Sequence, residues 1–271
     1  MIEVKAYAKI NLALEVKDII DGYHMVNNLM IPIDLYDVLT FEISDKIELI
    51  NNEFEDNIIL KAAKLFISKF NINSGVRISL TKNIPSAAGL AGGSSDAGAT
   101  LRGLNELFNF PANHEDLLEM AEALGSDVPF FIDTKFALCT GRGEKVNIID
   151  SEYKPFNILL IKPKSGLSTK DVYKAYEYDG IDKSDTIDDI IDSVINNDIS
   201  LLIDSIFNDL TIPALKLNKE LNTIFNDLKN KTNIFLSGSG PTMFIINPNK
   251  DIENYIKNKY SDCFIMRCKT M

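Results

Sequence analysis

Residues 85–96 read PSAAGLAGGSSD, a run with almost no side-chain bulk set between two strongly periodic segments. Upstream, Val76, Ile78 and Leu80 alternate with Arg77, Ser79 and Thr81, the period of a half-buried strand. Downstream, Ala97, Leu101, Leu104 and Phe108 recur at helical spacing, and Ser94, Ser95 and Asp96 are each candidates to cap the helix start. A strand, a glycine turn and a helix in that order aim unpaired N–H groups and the positive helix end at one point, which suits a phosphate. No lysine or arginine falls between Lys82 and Arg102, so an anion held here is held chiefly by main-chain dipoles. The run lacks the Gly-Lys-Ser/Thr ending of a Walker loop, and Gly89, Gly92 and Gly93 do not make the dinucleotide fingerprint. Glycine, alanine and serine would also build a flexible linker. Against that, Gly98 and Gly103 continue into the helix, where each costs roughly 1 kcal/mol relative to alanine and so implies a close neighbour.

At 271 residues the chain is of a size at which single cores divide, and its 45% hydrophobic content is ample for two packed domains. No apolar run approaches the ~18 residues of a membrane span, and MIEVKAYAK lacks a signal peptide's apolar stretch, so a cytoplasmic protein without a membrane partner is expected. Cys139, Cys263 and Cys268 are odd in number and unpaired in spacing, which predicts reduced core thiols. Two histidines, His24 and His114, do not suggest a histidine-rich metal centre. A net charge of −11 argues against a nucleic-acid partner and requires a locally positive pocket for any anionic ligand.

The first element reads as a strand, with Val4, Ala6, Ala8, Ile10, Leu12 and Leu14 on one face and Lys9 and Asn11 together on the other. Asp21-Gly22 signals a turn, and residues 30–41 return as strand. Ile59, Ala62, Ala63, Phe66 and Phe70 follow helical spacing from Asn57, and a second helix over residues 113–124 should end at Gly125. Residues 136–139 and 145–149 read as strands around Gly141-Arg142-Gly143. A boundary near residues 151–155 precedes a β, helices, β, β, α, β order, which predicts an antiparallel sheet with helices on one face. In the acidic region 179–198, Ile187, Ile190, Ile191, Val194 and Ile195 form one helical stripe, with the aspartates on a solvated face.

Three segments in order, AYAKINLAL near the start, PSAAGLAGGSSDAGATL in the middle and LSGSGPTMF near the end, resemble the three motifs of the GHMP kinases, a likeness spanning nearly the whole chain. It implies an α+β, two-domain fold: residues 1–153 like domain 2 of ribosomal protein S5, and residues 154–271 ferredoxin-like. Four further segments, DGYH from Asp21, EDNIILKAA from Glu55, GSDVPFF from Gly125 and TGRGE from Thr140, resemble one branch of that superfamily. Its acceptor is a small molecule, cytidine diphosphate-linked methylerythritol, phosphorylated by ATP with Mg2+ on the non-mevalonate route to isoprenoids.

Carried across residue by residue, the resemblance implies that Lys9 and Asp127 are the catalytic pair. Asp127 would accept the proton of the attacking hydroxyl, and Lys9 would keep Asp127 ionised and oriented. Pro85, Ser86, Ala87, Ala88, Gly89, Leu90, Ala91, Gly92, Gly93, Ser94 and Ser95 would wrap the ATP triphosphate, with Asn57 near the adenine. Ser86, Ala87 and Ala88 depart from a glycine-richer loop in some relatives, which touches local loop conformation alone. Tyr23 and His24 would recognise cytidine, with Asn11 beside them on the Lys9 face and Tyr173 of GLSTKDVY closing the stack, or serving as an ordinary helix tyrosine. The turn at residues 237–241 is either a plain hairpin or a lining of the cleft by Gly238 to Gly240. Metal ligands stay open, and a monomer or weak homodimer is expected. Rival readings are a GHMP kinase for mevalonate, homoserine or a sugar, against which DGYH argues, and a non-catalytic sensor, against which retention of Lys9 and Asp127 argues.

Overall fold

A computed structural model describes residues 1–50, 57–178 and 180–271. Glu55 and Asp56 of EDNIILKAA, and Asp179 of the acidic region, lie outside the described residues. The first half runs β1 (Ile2–Ile20), β2 (Tyr23–Ser44), β3 (Glu48–Leu49), α1 (Ile58–Lys69), β4 (Gly75–Thr81), α2 (Gly92–Leu107), α3 (His114–Leu124), α4 (Phe130–Asp133), β5 (Ala137–Thr140) and β6 (Lys145–Ile148). The second runs β7 (Asn157–Lys162), α5 (Thr169–Lys174), α6 (Ser184–Ile195), α7 (Ile199–Ser205), β8 (Phe207–Asn208), α8 (Thr211–Leu217), α9 (Lys219–Leu228), β9 (Phe235–Leu236), β10 (Met243–Ile246), α10 (Lys250–Lys259) and β11 (Phe264–Lys269). No described helix is long and apolar enough to cross a membrane.

Strands β1 and β2 form a long antiparallel hairpin closed by Asp21 and Gly22, both with left-handed φ (52° and 82°), the geometry an Asp-Gly pair favours. The alternation of β1 buries Ala6, Ala8, Ile10 and Leu12, and its polar face is buried too, since Lys9 and Asn11 lie 3% and 1% exposed. The glycine loop and the turn after β9 roof that face: Lys9 Nζ donates to the Gly89 carbonyl, and Ser237 Oγ donates to Asn11 Oδ1.

Helix α2 lies across β1 and β2, and its interior glycines admit α4 and β2. A Cβ on Gly98 would stand 2.8 Å from Phe131 Cβ, and one on Gly103 would stand 2.4 Å from Phe41 Cε2. Phe41 is fully buried, so Gly103→Ala is expected to destabilise the protein by about 1–3 kcal/mol in urea unfolding, and a change under ~0.5 kcal/mol would refute the contact. The helix starts earlier than its capping candidates. Gly92 is its first residue and Ala91, at φ 54°, holds the cap position with no side-chain hydrogen bond. Ser95 and Asp96 are inside the helix, where the Ser95 hydroxyl donates to the Tyr7 carbonyl and Asp96 accepts from Lys82.

The second sheet has the order β11-β7-β10-β9, antiparallel throughout. Its faces are both buried, which explains the unbroken apolar run in β7. Leu159 and Ile161, with Met243 and Ile245, pack against Leu221 and Ile224 of α9 and Ile252 and Ile256 of α10. Ile158 and Leu160, with Phe244 and Ile246, turn the other way into one core with Ile10 and Leu12 of β1 and with Ile187, Ile190 and Leu202 of α6 and α7. The expectation of helices on one face is therefore corrected: α9 and α10 cover one side, while α6 and α7 join the first half on the other. Strand β8 goes further and pairs in parallel with β1, Ala13 opposite Phe207 and Leu14 opposite Asn208. Of the cysteines, Cys139 and Cys268 are buried, and Cys263 is half-buried, not a core residue.

Candidate active site

The loop ahead of α2 takes left-handed φ at alternate residues, Ala87 (48°), Gly89 (73°) and Ala91 (54°). Each non-glycine residue there costs of order 1–2 kcal/mol, and alternation of this kind is the backbone geometry that builds anion-binding concavities from N–H groups. Residues Pro85 to Gly89 and Ala91 to Ser94 of this loop line a cavity of about 800 Å3, with Lys9, Asn11, Asn57, Lys82 and Asp127 on its other walls. Leu90 and Ser95 do not line it. Leu90 belongs to the core, and the hydroxyl of Ser95 is committed to the Tyr7 carbonyl. The two central glycines differ: a Cβ on Gly92 would press on Ile84 (2.9 Å) and Lys82 Nζ (3.1 Å), whereas one on Gly93 meets nothing within 4 Å.

Lys9 projects from β1 into this cavity, donating to Asn11 Oδ1 at 2.7 Å and to the Gly89 carbonyl at 2.9 Å. The turn after β9 completes the pocket floor. Ser237 Oγ donates to the Gly89 carbonyl at 3.0 Å, and Gly238 comes so close that a Cβ there would stand 3.3 Å from Lys9 Nζ. Gly238 and Ser239 line the cavity, while a Cβ on Gly240 would face Leu236 instead. Burial pulls the Lys9 ammonium below the ordinary lysine range, and the charge of Asp127 acts against that pull. The lysine's hydrogen bonds go to Asn11 and Gly89, so Asp127 acts on it through space.

Asp127 stands in the segment between α3 and α4, on a rim shared by two hollows. A second cavity, of about 720 Å3, is lined by Tyr23, His24, Arg142, Lys170 and Tyr173, and shares Ser94, Asp127, Thr169 and Tyr173 with the first. The His24 and Tyr173 rings lie 5.5 Å apart, centre to centre, and His24 Nδ1 is buried without a hydrogen-bond partner. Burial, reinforced by Asp127, raises the Tyr173 hydroxyl above its ordinary range. Of the residues expected near the cytidine, Tyr23, His24 and Tyr173 meet in this hollow; Asn11 lies in the first cavity, against Lys9.

Sequence reasoning passed over an ion cluster on the first cavity's wall. Lys82 Nζ donates to Asp37 Oδ2 at 2.5 Å and Asp96 Oδ2 at 2.7 Å, and the fully buried Asp37 also accepts from the amides of Asn83 and Ile84. Burial lifts the Asp96 carboxyl above the usual range against the pull of Lys82, and its Oδ1 is buried without a partner. The signal was a cation at the strand's end beside a small-residue run, which no periodicity rule weighs. Asn57 lines the cavity and caps α1, its Oδ1 accepting from Ile59 N.

Two α+β halves with a shared core meet a hollow at the start of α2 lined by small residues, and the comparisons with known proteins put this arrangement among the small-molecule kinases of the GHMP type. The family profile described as "GHMP kinases N terminal domain" matches residues 57–135. A 4-diphosphocytidyl-2-C-methyl-D-erythritol kinase of Clostridium beijerinckii is 39% identical over 281 residues, covering 98% of this chain and 99% of the relative. A crystal structure of 4-(cytidine 5'-diphospho)-2C-methyl-D-erythritol kinase superposes with a TM-score of 0.84 at 27% identity, covering 99% of each chain. Homoserine kinase from Cytophaga hutchinsonii shares the fold, with a TM-score of 0.71 at 18% identity over 99% of this chain and 94% of the other. The chain belongs to the 4-diphosphocytidyl-2-C-methyl-D-erythritol kinase family.

Proposed function

We propose that this protein transfers the γ-phosphate of ATP to the 2-hydroxyl of 4-diphosphocytidyl-2-C-methyl-D-erythritol, in the non-mevalonate route to isoprenoid precursors. The observation that carries the reading is the junction of the two cavities at Asp127: a hollow lined by the small residues of the glycine loop on one side, a hollow with aromatic rings and an unpartnered His24 nitrogen on the other. In this reading the nucleotide occupies the first, with its triphosphate along residues 85–95 and its base toward Asn57. The acceptor's cytidine occupies the second, among Tyr23, His24 and Tyr173.

The reacting hydroxyl then sits between Lys9 and Asp127, with Asn11 fixing the lysine. Its oxygen bonds to the γ-phosphorus as the bond to the β,γ-bridging oxygen breaks, the electron pair leaving with ADP, and Asp127 takes the proton. Lys9 offsets the charge that develops on the transferred group. Magnesium is typically carried by substrate phosphates with one or two protein oxygens. The donor set suits that arrangement, since Ser94 lies where the cavities join and Asp96, on the wall of the first, has a buried Oδ1 without a partner. Bound there, magnesium would neutralise phosphate charge, with Ser94 and Asp96, which line the same cavity, as its candidate protein oxygens. The working protein is a cytoplasmic monomer or weak homodimer with domains at residues 1–153 and 154–271, and neither nucleic acid nor membrane is a partner.

Purified protein with Mg-ATP and a panel of acceptors (the cytidine diphosphate compound, mevalonate, homoserine) tests the reading. ADP release and a phosphorylated product with the first alone are expected; turnover of another acceptor, or of none, overturns it. Gly93→Val probes the nucleotide site without touching Lys82, because its side chain enters open space. The KM for ATP should rise roughly tenfold, equivalent to ~1.4 kcal/mol of lost phosphate contact, with the acceptor's KM little changed. An unaltered KM for ATP would mean that the phosphates bind elsewhere.

A further inference from the structure

The turn at Gly141-Arg142-Gly143 has no part in the chemistry above, yet it is built with care. Gly141 (φ 74°) and Gly143 (φ 112°) take backbone conformations that side chains disfavour. The Gly141 carbonyl accepts from Val26 N at 2.7 Å, which bolts the turn to β2 two residues from His24. Glu144 Oε2 accepts from Arg142 N at 2.7 Å and stands 3.9 Å from Arg142 Nε, so the turn is braced from within. The result is a guanidinium held 5.3 Å from the centre of the Tyr23 ring, on the wall of the second cavity, with its side chain 43% exposed.

The charge around that cavity runs against the rest of the molecule. Arg142, Lys170 and Lys174 line it against one lining carboxylate, Asp127, with Glu144 behind Arg142 and outside the lining, in a chain of net charge −11. A cationic hollow in an acidic protein is fitted to an anion, and of its three cations Arg142 alone offers a planar fork that can grip a phosphate bidentately. It also backs an aromatic ring that lies beside the expected base.

We infer that Arg142 is a specificity-determining residue whose guanidinium holds the diphosphate of the acceptor while its plane steadies Tyr23. Base and diphosphate are thereby read as one unit, and the acceptor's reacting end is delivered to Asp127. This rests on the functional reading above and adds a residue to it.

Calorimetric binding of CDP and of cytidine to the full-length protein, wild type against Arg142→Gln and Arg142→Lys, separates the possibilities. Arg142→Gln should weaken CDP binding by roughly ten- to a hundredfold, the range for a lost charge-assisted bond, while cytidine changes by less than about threefold. The acceptor's KM should rise in step while the KM for ATP stays within about twofold of wild type, and Arg142→Lys should recover part of the CDP affinity. Equal losses for CDP and cytidine would reduce Arg142 to a support for Tyr23 and overturn the assignment, as would CDP binding that matches wild type. Wild-type protein that neither binds CDP nor turns over the cytidine acceptor would instead overturn the functional reading, and the Arg142 assignment with it.

Discussion

Asp127→Asn is expected to lower kcat by roughly 10²–10⁴-fold while nucleotide affinity stays within about threefold of wild type. The amide keeps the size and hydrogen-bonding reach of the carboxylate but cannot take up the proton of the attacking hydroxyl. Asp127 lies where both cavities meet, half-buried in the segment between α3 and α4, so the change disturbs no packed core. Because phosphoryl transfer passes through a loose transition state, much of the rate comes from positioning. A loss at the lower end would therefore assign Asp127 chiefly an orienting duty, and one at the upper end a proton acceptor. Steady-state turnover paired with binding of a fluorescent ATP analogue makes the measurement. Turnover within a few-fold of wild type would remove Asp127 from the chemistry.

Lys9→Met should abolish measurable turnover and, at the same time, raise the stability of the protein, because an apolar chain of similar length removes a charge that burial disfavours. Lys9 is 3% exposed and carries a charge that burial disfavours. That gain is partly offset, since of the two acceptors the substitution abandons, Asn11 Oδ1 and the Gly89 carbonyl, the single Ser237 hydroxyl proton serves one at a time. The sign of the pH dependence follows. The folded-state pKa lies below the 10.5 of a free lysine, so between the two values the unfolded chain binds the extra proton. In wild type this contribution makes stability rise with pH above the folded pKa until the unfolded lysine also deprotonates. Turnover should fall over the same window as the ammonium is lost. Urea unfolding as a function of pH, together with the alkaline limb of kcat/KM, checks both halves. A less stable Lys9→Met protein would show that the ammonium supports the fold and is not a strain placed there for catalysis.

The elements with strong periods were readable in the sequence. The opening hairpin and its Asp-Gly turn, the strand and helix around the glycine loop, and the three motifs on one cleft all follow from alternation, turn chemistry and resemblance. The rest was hidden for identifiable reasons. The start of α2 depended on Ala91 adopting a left-handed conformation, which alanine does not advertise, so Ser94, Ser95 and Asp96 looked like caps. Lys9 and Asn11 read as a polar face of β1 because alternation reports side-chain direction and not what another segment, here residues 237–240, lays over them. The Lys82, Asp37 and Asp96 cluster joins residues 14 to 59 positions apart (Lys82 to Asp96, and Asp37 to Asp96), a proximity made by the fold and invisible to local pattern. Leu90 fell into the loop by position alone, although as the one large apolar residue of residues 86–95 it was the natural anchor to the core.

Strand β8 lies alongside β1 only a few residues beyond Lys9, and Asn208 reaches from it to the carbonyls of Leu236 and Gly238 in the third motif. One short strand thus stitches the lysine-bearing wall to the turn that faces it. Opening the cleft like a clamshell would break that pairing and both Asn208 hydrogen bonds, a cost that passage of ligands at the open rim avoids. If Tyr23 and Arg142, on the wall of the second cavity, act as inferred above, selection among metabolites is settled at that doorway before the chemistry begins.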